Sequence, residues 1–262
     1  VAAVRIRVGH SADPDDAFMA WAFEAGKVDA RGLEFELVAS DIQTLNEWAL
    51  DGRLEVTALS AGTYPAVADR YLLLPHGASF GEGYGPIVVA REELDPRDVE
   101  IVTPGPLTTA TRVLKLALGD DVRTRDLPFD EVLDEVVSGR AEAGLLIHEG
   151  QLTFAEHGLH KLLDLGVWWQ DETGLPLPLG LVAARRDVER LTDVSAVVRE
   201  AIGAGLANRD EAMAYAMDFG RGIDASTADE FVAMYVNDLT LDMGGRGREA
   251  ITRLLGAEPE FV

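Results

Sequence analysis

The chain carries 262 residues, 47% of them hydrophobic, and no cysteine. That composition supports a full core in one large domain or two smaller ones and argues against disorder. The lack of cysteine excludes disulfides, a thiolate nucleophile and any cysteine-based metal site. With 46 acidic residues against 23 Lys and Arg, the net charge is −23, a field that repels nucleic acid and anionic membranes. Lysine is confined to Lys27, Lys115 and Lys161, a pattern suited to solubility in high salt.

Residues 1–8 read as a strand, with Val4, Ile6 and Val8 alternating against Arg5 and Arg7. They lack the basic start and apolar centre of a secretory signal, and no apolar run reaches the length of a membrane span. A cytoplasmic protein is the expectation. Ser11 lies in the turn that follows. Asp13 is placed to cap a helix, with Pro14 at its first position and Asp16 completing a capping-box-like pair. Phe18, Trp21, Ala22 and Ala25 share one face of that helix. Strands are expected at 33–38 and 54–59, with Ser60 at the exit of the latter, and a helix at 42–50 capped by Asp41. A short helix capped by Thr63 and a strand over 71–74 come next. Residues 77–86 are glycine-rich and fit neither period, so they read as a crossover loop, after which 87–90 resumes a buried strand.

A second lobe opens near Arg91. Strands are expected at 99–103 and 122–127, and helices from Thr108 to about Leu118 and across Phe129, Val132, Leu133, Val136 and Val137. The apolar stretch 144–147 then ends in His148, Glu149 and Gly150. A further strand at 162–165 precedes Trp168 and Trp169, and an apolar crossover at 178–184 leads into helices near 193–207, 208–219, 225–235 and 244–256. The alternation implies a mostly parallel α/β architecture. Two crossovers imply two lobes, 1–88 with 180–262 and 89–179, and a ligand cleft between them toward which Ser11, Ser60, Thr108, Thr109 and His148 exit their strands.

Of the motifs, Gly77-Ala78-Ser79-Phe80-Gly81 matches the nucleophile-elbow pattern but lacks the helix that must follow its serine. Gly81, Gly83 and Gly85 have the wrong spacing for a dinucleotide fingerprint. His148-Glu149 begins like a zinc-protease motif, yet Leu152 occupies the second histidine position, and no metal site is expected. Thr108, Thr109 and Ala110 open a helix, where hydroxyls and backbone N–H groups suit an oxygen-rich ligand, although a threonine there can equally be a cap. His148, at a strand's carboxyl end, is the candidate general base. A helix starting near Gly150 would set its positive dipole end beside that histidine.

Several stretches together resemble the 1,4-dihydroxy-6-naphthoate synthase family of the futalosine route to menaquinone. They are Ser11-Ala12-Asp13-Pro14-Asp15-Asp16-Ala17-Phe18, Thr44-Leu45-Asn46, Tyr84-Gly85-Pro86, Pro104-Gly105 with Thr108-Thr109-Ala110, Ala143 to Glu149, and Thr173 to Gly180. The resemblance implies a two-lobed fold similar to type II periplasmic binding proteins. It also implies a cofactor-free lyase that fragments cyclic dehypoxanthine futalosine into 1,4-dihydroxy-6-naphthoate and a sugar-derived piece. His148 takes the place of the family's catalytic base, and Ala58, Leu59, Ser60, Thr109 and Ala110 that of its substrate contacts, with Ser11 and Thr108 as further candidates. Many members have Pro-Asn-Asp-Thr-Phe where this chain has Pro14-Asp15-Asp16-Ala17-Phe18, which keeps the related chorismate dehydratase in view. A small-acid solute-binding protein of the same fold is the alternative from another class, disfavoured by the placement of Ile147-His148-Glu149 and by the missing export signal. The expected partner is a small-molecule substrate, with no nucleic acid and no membrane, for a monomer or homodimer.

The charge surplus carries its own test. Raising KCl from about 0.1 M to about 1 M shortens the screening length from about 10 Å to about 3 Å, so the melting temperature measured by calorimetry is expected to rise. A melting temperature that falls or stays flat would show that self-repulsion does not limit stability.

Overall fold

The computed structural model describes residues 4–220 and 222–262, so positions 1–3 of the expected opening strand lie outside the described residues. The chain forms two compact units, one built from the residues up to Phe80 with Pro178–Val262, the other from Gly81–Leu177. These divisions fall ahead of the 88/89 and 179/180 junctions read from the sequence, so the strand at Ile87–Ala90 stays whole within the second unit.

The first unit opens with β1 (Val4–Ser11), α1 (Pro14–Glu24), β2 (Leu33–Ser40), α2 (Ile42–Leu50) and β3 (Val56–Ser60). A 3-10 helix at Ala61–Ala66 follows, then β4 (Tyr71–Leu73) and β5 (Ser79–Gly81). β5 lies inside the glycine-rich segment that the sequence periods leave as loop. α2 starts where Asp41 accepts a bond from the Thr44 N–H at 3.0 Å, as its sequence predicts. α1 starts differently from expectation. Asp13 stands at its N-cap but makes no side-chain cap bond. Its carboxylate instead accepts from the Ser11 hydroxyl, and Asp16 accepts from the Ser11 N–H at 2.6 Å. Both carboxylates thus grip the end of β1 and leave the helix start to Pro14.

The second unit contains β6 (Ile87–Ala90), β7 (Ile101–Thr103), α3 (Thr109–Leu118), β8 (Thr124–Asp126) and α4 (Phe129–Val137). β9 (Ala143–Leu146), α5 (Gly150–Thr153), a 3-10 helix at Phe154–His157, β10 (His160–Asp164) and α6 (Leu165–Thr173) complete it. α6 carries Trp168 and Trp169 and was not foreseen from sequence. Asp164 caps it by accepting from the Gly166 and Val167 N–H groups at 3.1 and 3.2 Å, and Gly174 ends it in the left-handed region. The chain returns through β11 (Leu177–Arg185) and closes with α7 (Leu191–Ala207), α8 (Arg209–Ala216), α9 (Ala225–Tyr235), α10 (Asp238–Leu241) and α11 (Gly244–Leu255). Among the described residues no helix is long and apolar enough to cross a membrane.

Each sheet is mixed, which corrects the mostly parallel expectation. The first sheet runs β2-β1-β3-β11-β4, with β5 on β11; β1 is parallel to β2 and β3, whereas β11 is antiparallel to β3 and β4. The second runs β10-β6-β9-β7-β8, with β7 parallel to β8 and β9, and β6 antiparallel to β9 and β10. The antiparallel strands β6 and β11 are the two that follow the crossovers. A strand entered from a crossover need not share the direction set by βαβ repeats.

In the first unit Ile6, Phe18, Trp21, Val56, Val198 and Val232 belong to one buried cluster under α1 and α7. In the second, Val132 and Val136 of α4 are fully buried against β9. Gly144 makes this approach possible: a Cβ there would lie 2.7 Å from Val136 Cγ2 and 2.9 Å from Val132 Cγ1. Each buried valine contributes about 1.5–3 kcal/mol, enough to hold α4 and β9 in fixed register.

The grip on β1 has a pH signature. Desolvation, reinforced by repulsion from Asp13, pushes the Asp16 carboxyl up to about 7, although the Ser11 N–H favours its ionised form. A carboxyl raised above its unfolded value stabilises the fold at low pH, and that contribution is lost as pH rises through the folded value. Asp16→Asn removes the ionisation. Its thermal stability relative to wild type is therefore expected to improve from about pH 4 to about pH 8. Parallel curves for the two proteins would contradict the assignment.

Candidate functional site

In the second unit, β8, β7 and β9 run parallel, so their carboxyl ends lie along one sheet edge. β8 leads to Phe129, β7 leads to Thr108–Ala110, and β9 leads to His148. The expected candidates of this unit are thus brought to a common edge. The ring of His148 stands edge-on to Phe129 with centroids 5.0 Å apart and planes at 73°, an arrangement favourable for aromatic rings. Phe129 escaped notice in the sequence because its position also fits the apolar face of α4.

His148 itself adopts φ +53°. A left-handed backbone is uncommon for residues with a Cβ, though histidine tolerates it better than most, and it costs roughly 1–2 kcal/mol. The turn stops β9 at Leu146 and redirects the chain within two residues. Such local strain is characteristic of functional positions. One expectation is corrected here. α5 beyond Gly150 is a single four-residue turn, too short to present the dipole that a longer helix would.

At the opening of α3 the two threonines divide their roles. The Thr108 hydroxyl donates to the Gly105 carbonyl at 2.8 Å and accepts from the Thr111 N–H at 3.3 Å, so it serves as the N-cap. Thr111 donates to the same carbonyl at 2.8 Å. Thr109 and Ala110 occupy the first two helical positions, both nearly buried, where helix geometry turns N–H groups away from the intrahelical ladder.

In the first unit, β1 and β3 are parallel, and Ser11 and Ser60 end them on the same sheet edge. β11 is antiparallel to them and pairs its Gly180 with Ser60. Leu59 is fully buried and pairs with Leu181, while Ala58 packs with Leu45 and Leu54. Of the expected stretch Ala58, Leu59 and Ser60, the serine is thus the residue at the strand's end. Its partner was missed in the sequence. Asn46, fully buried on α2, donates from Nδ2 to the Ser60 Oγ at 2.9 Å and accepts the Ser60 N–H at 2.8 Å through Oδ1. The signal was present: Ile42, Leu45, Asn46 and Ala49 lie on the one helical face that α2 turns inward, and asparagine is the polar member. Ser11 is engaged by Asp13 and Asp16. Among the described residues no three His, Asp or Glu side chains cluster as metal ligands.

Two units, each a mixed sheet flanked by helices, define an α/β protein with a periplasmic-binding-protein-like fold, and solved structures bear this out. An alkanesulfonate-binding protein from Xanthomonas axonopodis matches at a TM-score of 0.67 and 12% identity, over 90% of this chain and 86% of that one. A Candida albicans protein described as having the generic periplasmic-binding-protein fold matches at 0.69 and 12%, over 98% and 91%. At such identities the likeness speaks for the fold alone. A crystal structure of an Archaeoglobus fulgidus protein matches at a TM-score of 0.92 with 45% identity over 96% of both chains.

The model of a family described as menaquinone biosynthesis matches residues 6–258. A 1,4-dihydroxy-6-naphthoate synthase of Thermus thermophilus is 39% identical over 97% of this chain and 94% of its own, and one of Streptomyces coelicolor is 34% identical over 95% and 91%. The chain belongs to the 1,4-dihydroxy-6-naphthoate synthase family of menaquinone biosynthesis.

The strain at His148 is separable from its chemistry. His148→Ala and His148→Gly both lose the ring, but only glycine relieves the left-handed backbone. The glycine variant is expected to be the more stable by about 1 kcal/mol, or about 2–4 °C in melting temperature. Equal melting temperatures would show that the turn carries no strain.

Proposed function

We propose that this chain converts cyclic dehypoxanthine futalosine to 1,4-dihydroxy-6-naphthoate as a carbon–carbon lyase, with His148 as general base. Membership of the family supports the reaction class, and the position of His148 supports its role: it follows the carboxyl end of β9 on the same edge as Thr109 and Ala110. The base takes the proton of a substrate hydroxyl. The electron pair left on oxygen forms a carbonyl as the adjacent C–C bond breaks, and the electrons of that bond pass into the ring system. The sugar-derived portion leaves with the new carbonyl, and aromatisation of the naphthoate supplies the driving force. The protein then has two tasks, to hold a base at one hydroxyl and to fix the substrate's oxygen atoms.

Ser60, with its neighbours Ala58 and Leu59, and Thr109 with Ala110 are proposed as the substrate contacts. The N–H groups at the start of α3 suit a carboxylate or another electron-rich oxygen. Thr108 acts through the helix it caps, and Ser11 through its bonds to Asp13 and Asp16. Steady-state turnover of His148→Ala tests the base. A loss of about 10²–10⁴-fold in kcat is expected, while calorimetric titration still registers substrate binding. Full activity in that variant would sink the mechanism.

A further inference from the structure

The amide of Asn46 faces two groups of one residue, and only one orientation satisfies both. The Ser60 backbone N–H can only donate, so the atom 2.8 Å from it must be the amide oxygen. The atom 2.9 Å from the Ser60 Oγ is therefore the NH₂ group, which can only donate. The hydroxyl is thereby held as an acceptor toward Asn46, and its own hydrogen must point elsewhere. It does not cap the 3-10 helix that follows, and no other hydrogen bond engages it among the described residues. The clamp is rigid: Asn46 is fully buried on α2, Ser60 is 4% exposed at the end of β3, and Leu45 and Leu54 pack alongside.

We infer that Asn46 is a positioning residue that sets the hydrogen-bond polarity of Ser60, presenting the serine to substrate as a donor. The substrate group meeting Ser60 is then an acceptor, a carboxylate or carbonyl oxygen rather than a hydroxyl hydrogen. This rests on the reading of Ser60 as a substrate contact. The serine's backbone N–H is occupied by Asn46, so the hydroxyl alone supplies the contact.

Asn46→Asp tests the inference, because it keeps an oxygen for the Ser60 N–H and replaces the NH₂ donor by a second acceptor. The Ser60 hydrogen then turns inward to the carboxylate. KM for cyclic dehypoxanthine futalosine is expected to rise about tenfold or more, as for loss of a hydrogen bond to a charged group, with kcat changed far less. The defect should shrink as pH falls, since a protonated carboxyl regains a donor for Ser60. Ser60→Ala should raise KM similarly, and the double variant should be no worse than Ser60→Ala alone. Should Asn46→Asp fail to fold, Asn46→Ala takes its place in the same cycle, with thermal denaturation confirming a folded protein. If Ser60→Ala raises KM while the folded Asn46 variant leaves it unchanged, or if the two effects multiply, the polarity assignment is overturned. If Ser60→Ala leaves KM unchanged, the reading of Ser60 as a contact fails first, and this inference falls with it.

Discussion

The left-handed turn at His148 governs the second unit. A strand that kept its direction past Leu146 would carry the histidine on with the sheet; the positive φ ends β9 and places the imidazole against Phe129. Holding a residue there requires surroundings that do not yield. Gly144 lets Val132 and Val136 close directly on β9, and Thr108 with Thr111 ties the start of α3 to the Gly105 carbonyl. Both devices act on the segments that bring β7 and β9 to their common edge. Strain at one backbone position is offset by packing in the elements on either side of it.

The first unit solves a different problem, how to offer a hydroxyl with a defined direction. A serine at a strand end is ordinarily a free rotor that donates or accepts as its neighbours allow. Here an amide from the adjoining helix occupies both the serine's N–H and one of its lone pairs. The same economy appears at the end of β1, where Asp13 and Asp16 engage the hydroxyl and N–H of Ser11. In both places polar side chains from a helix or its N-cap finish the ends of parallel strands. The fold is shared with proteins named for binding sulfonates, so chemistry must come from such local finishing rather than from the architecture.

Much of this was legible in the residues. α2 and α4 fall where capping and periodicity place them, because Asp41 and the Val132–Val136 spacing act locally. The position of His148 just past an apolar strand was legible as well. Strand direction was not legible, since β6 and β11 read as apolar runs whichever way they point. α6 was obscured because Leu162 to Leu165 reads as a strand, although Asp164 and Gly174 mark its ends. The φ of His148 left no local trace, because histidine is not a residue type that marks a left-handed position. Asn46 was visible as a polar residue on an apolar face, but its partner fourteen residues on was not, for the pairing depends on α2 lying against β3.

Product analysis tests the central claim most directly: purified protein is incubated with cyclic dehypoxanthine futalosine and the mixture examined by mass spectrometry. The account predicts 1,4-dihydroxy-6-naphthoate together with a sugar-derived fragment carrying the new carbonyl. Unchanged substrate that nonetheless raises the melting temperature would contradict it, and would make the chain a binding protein.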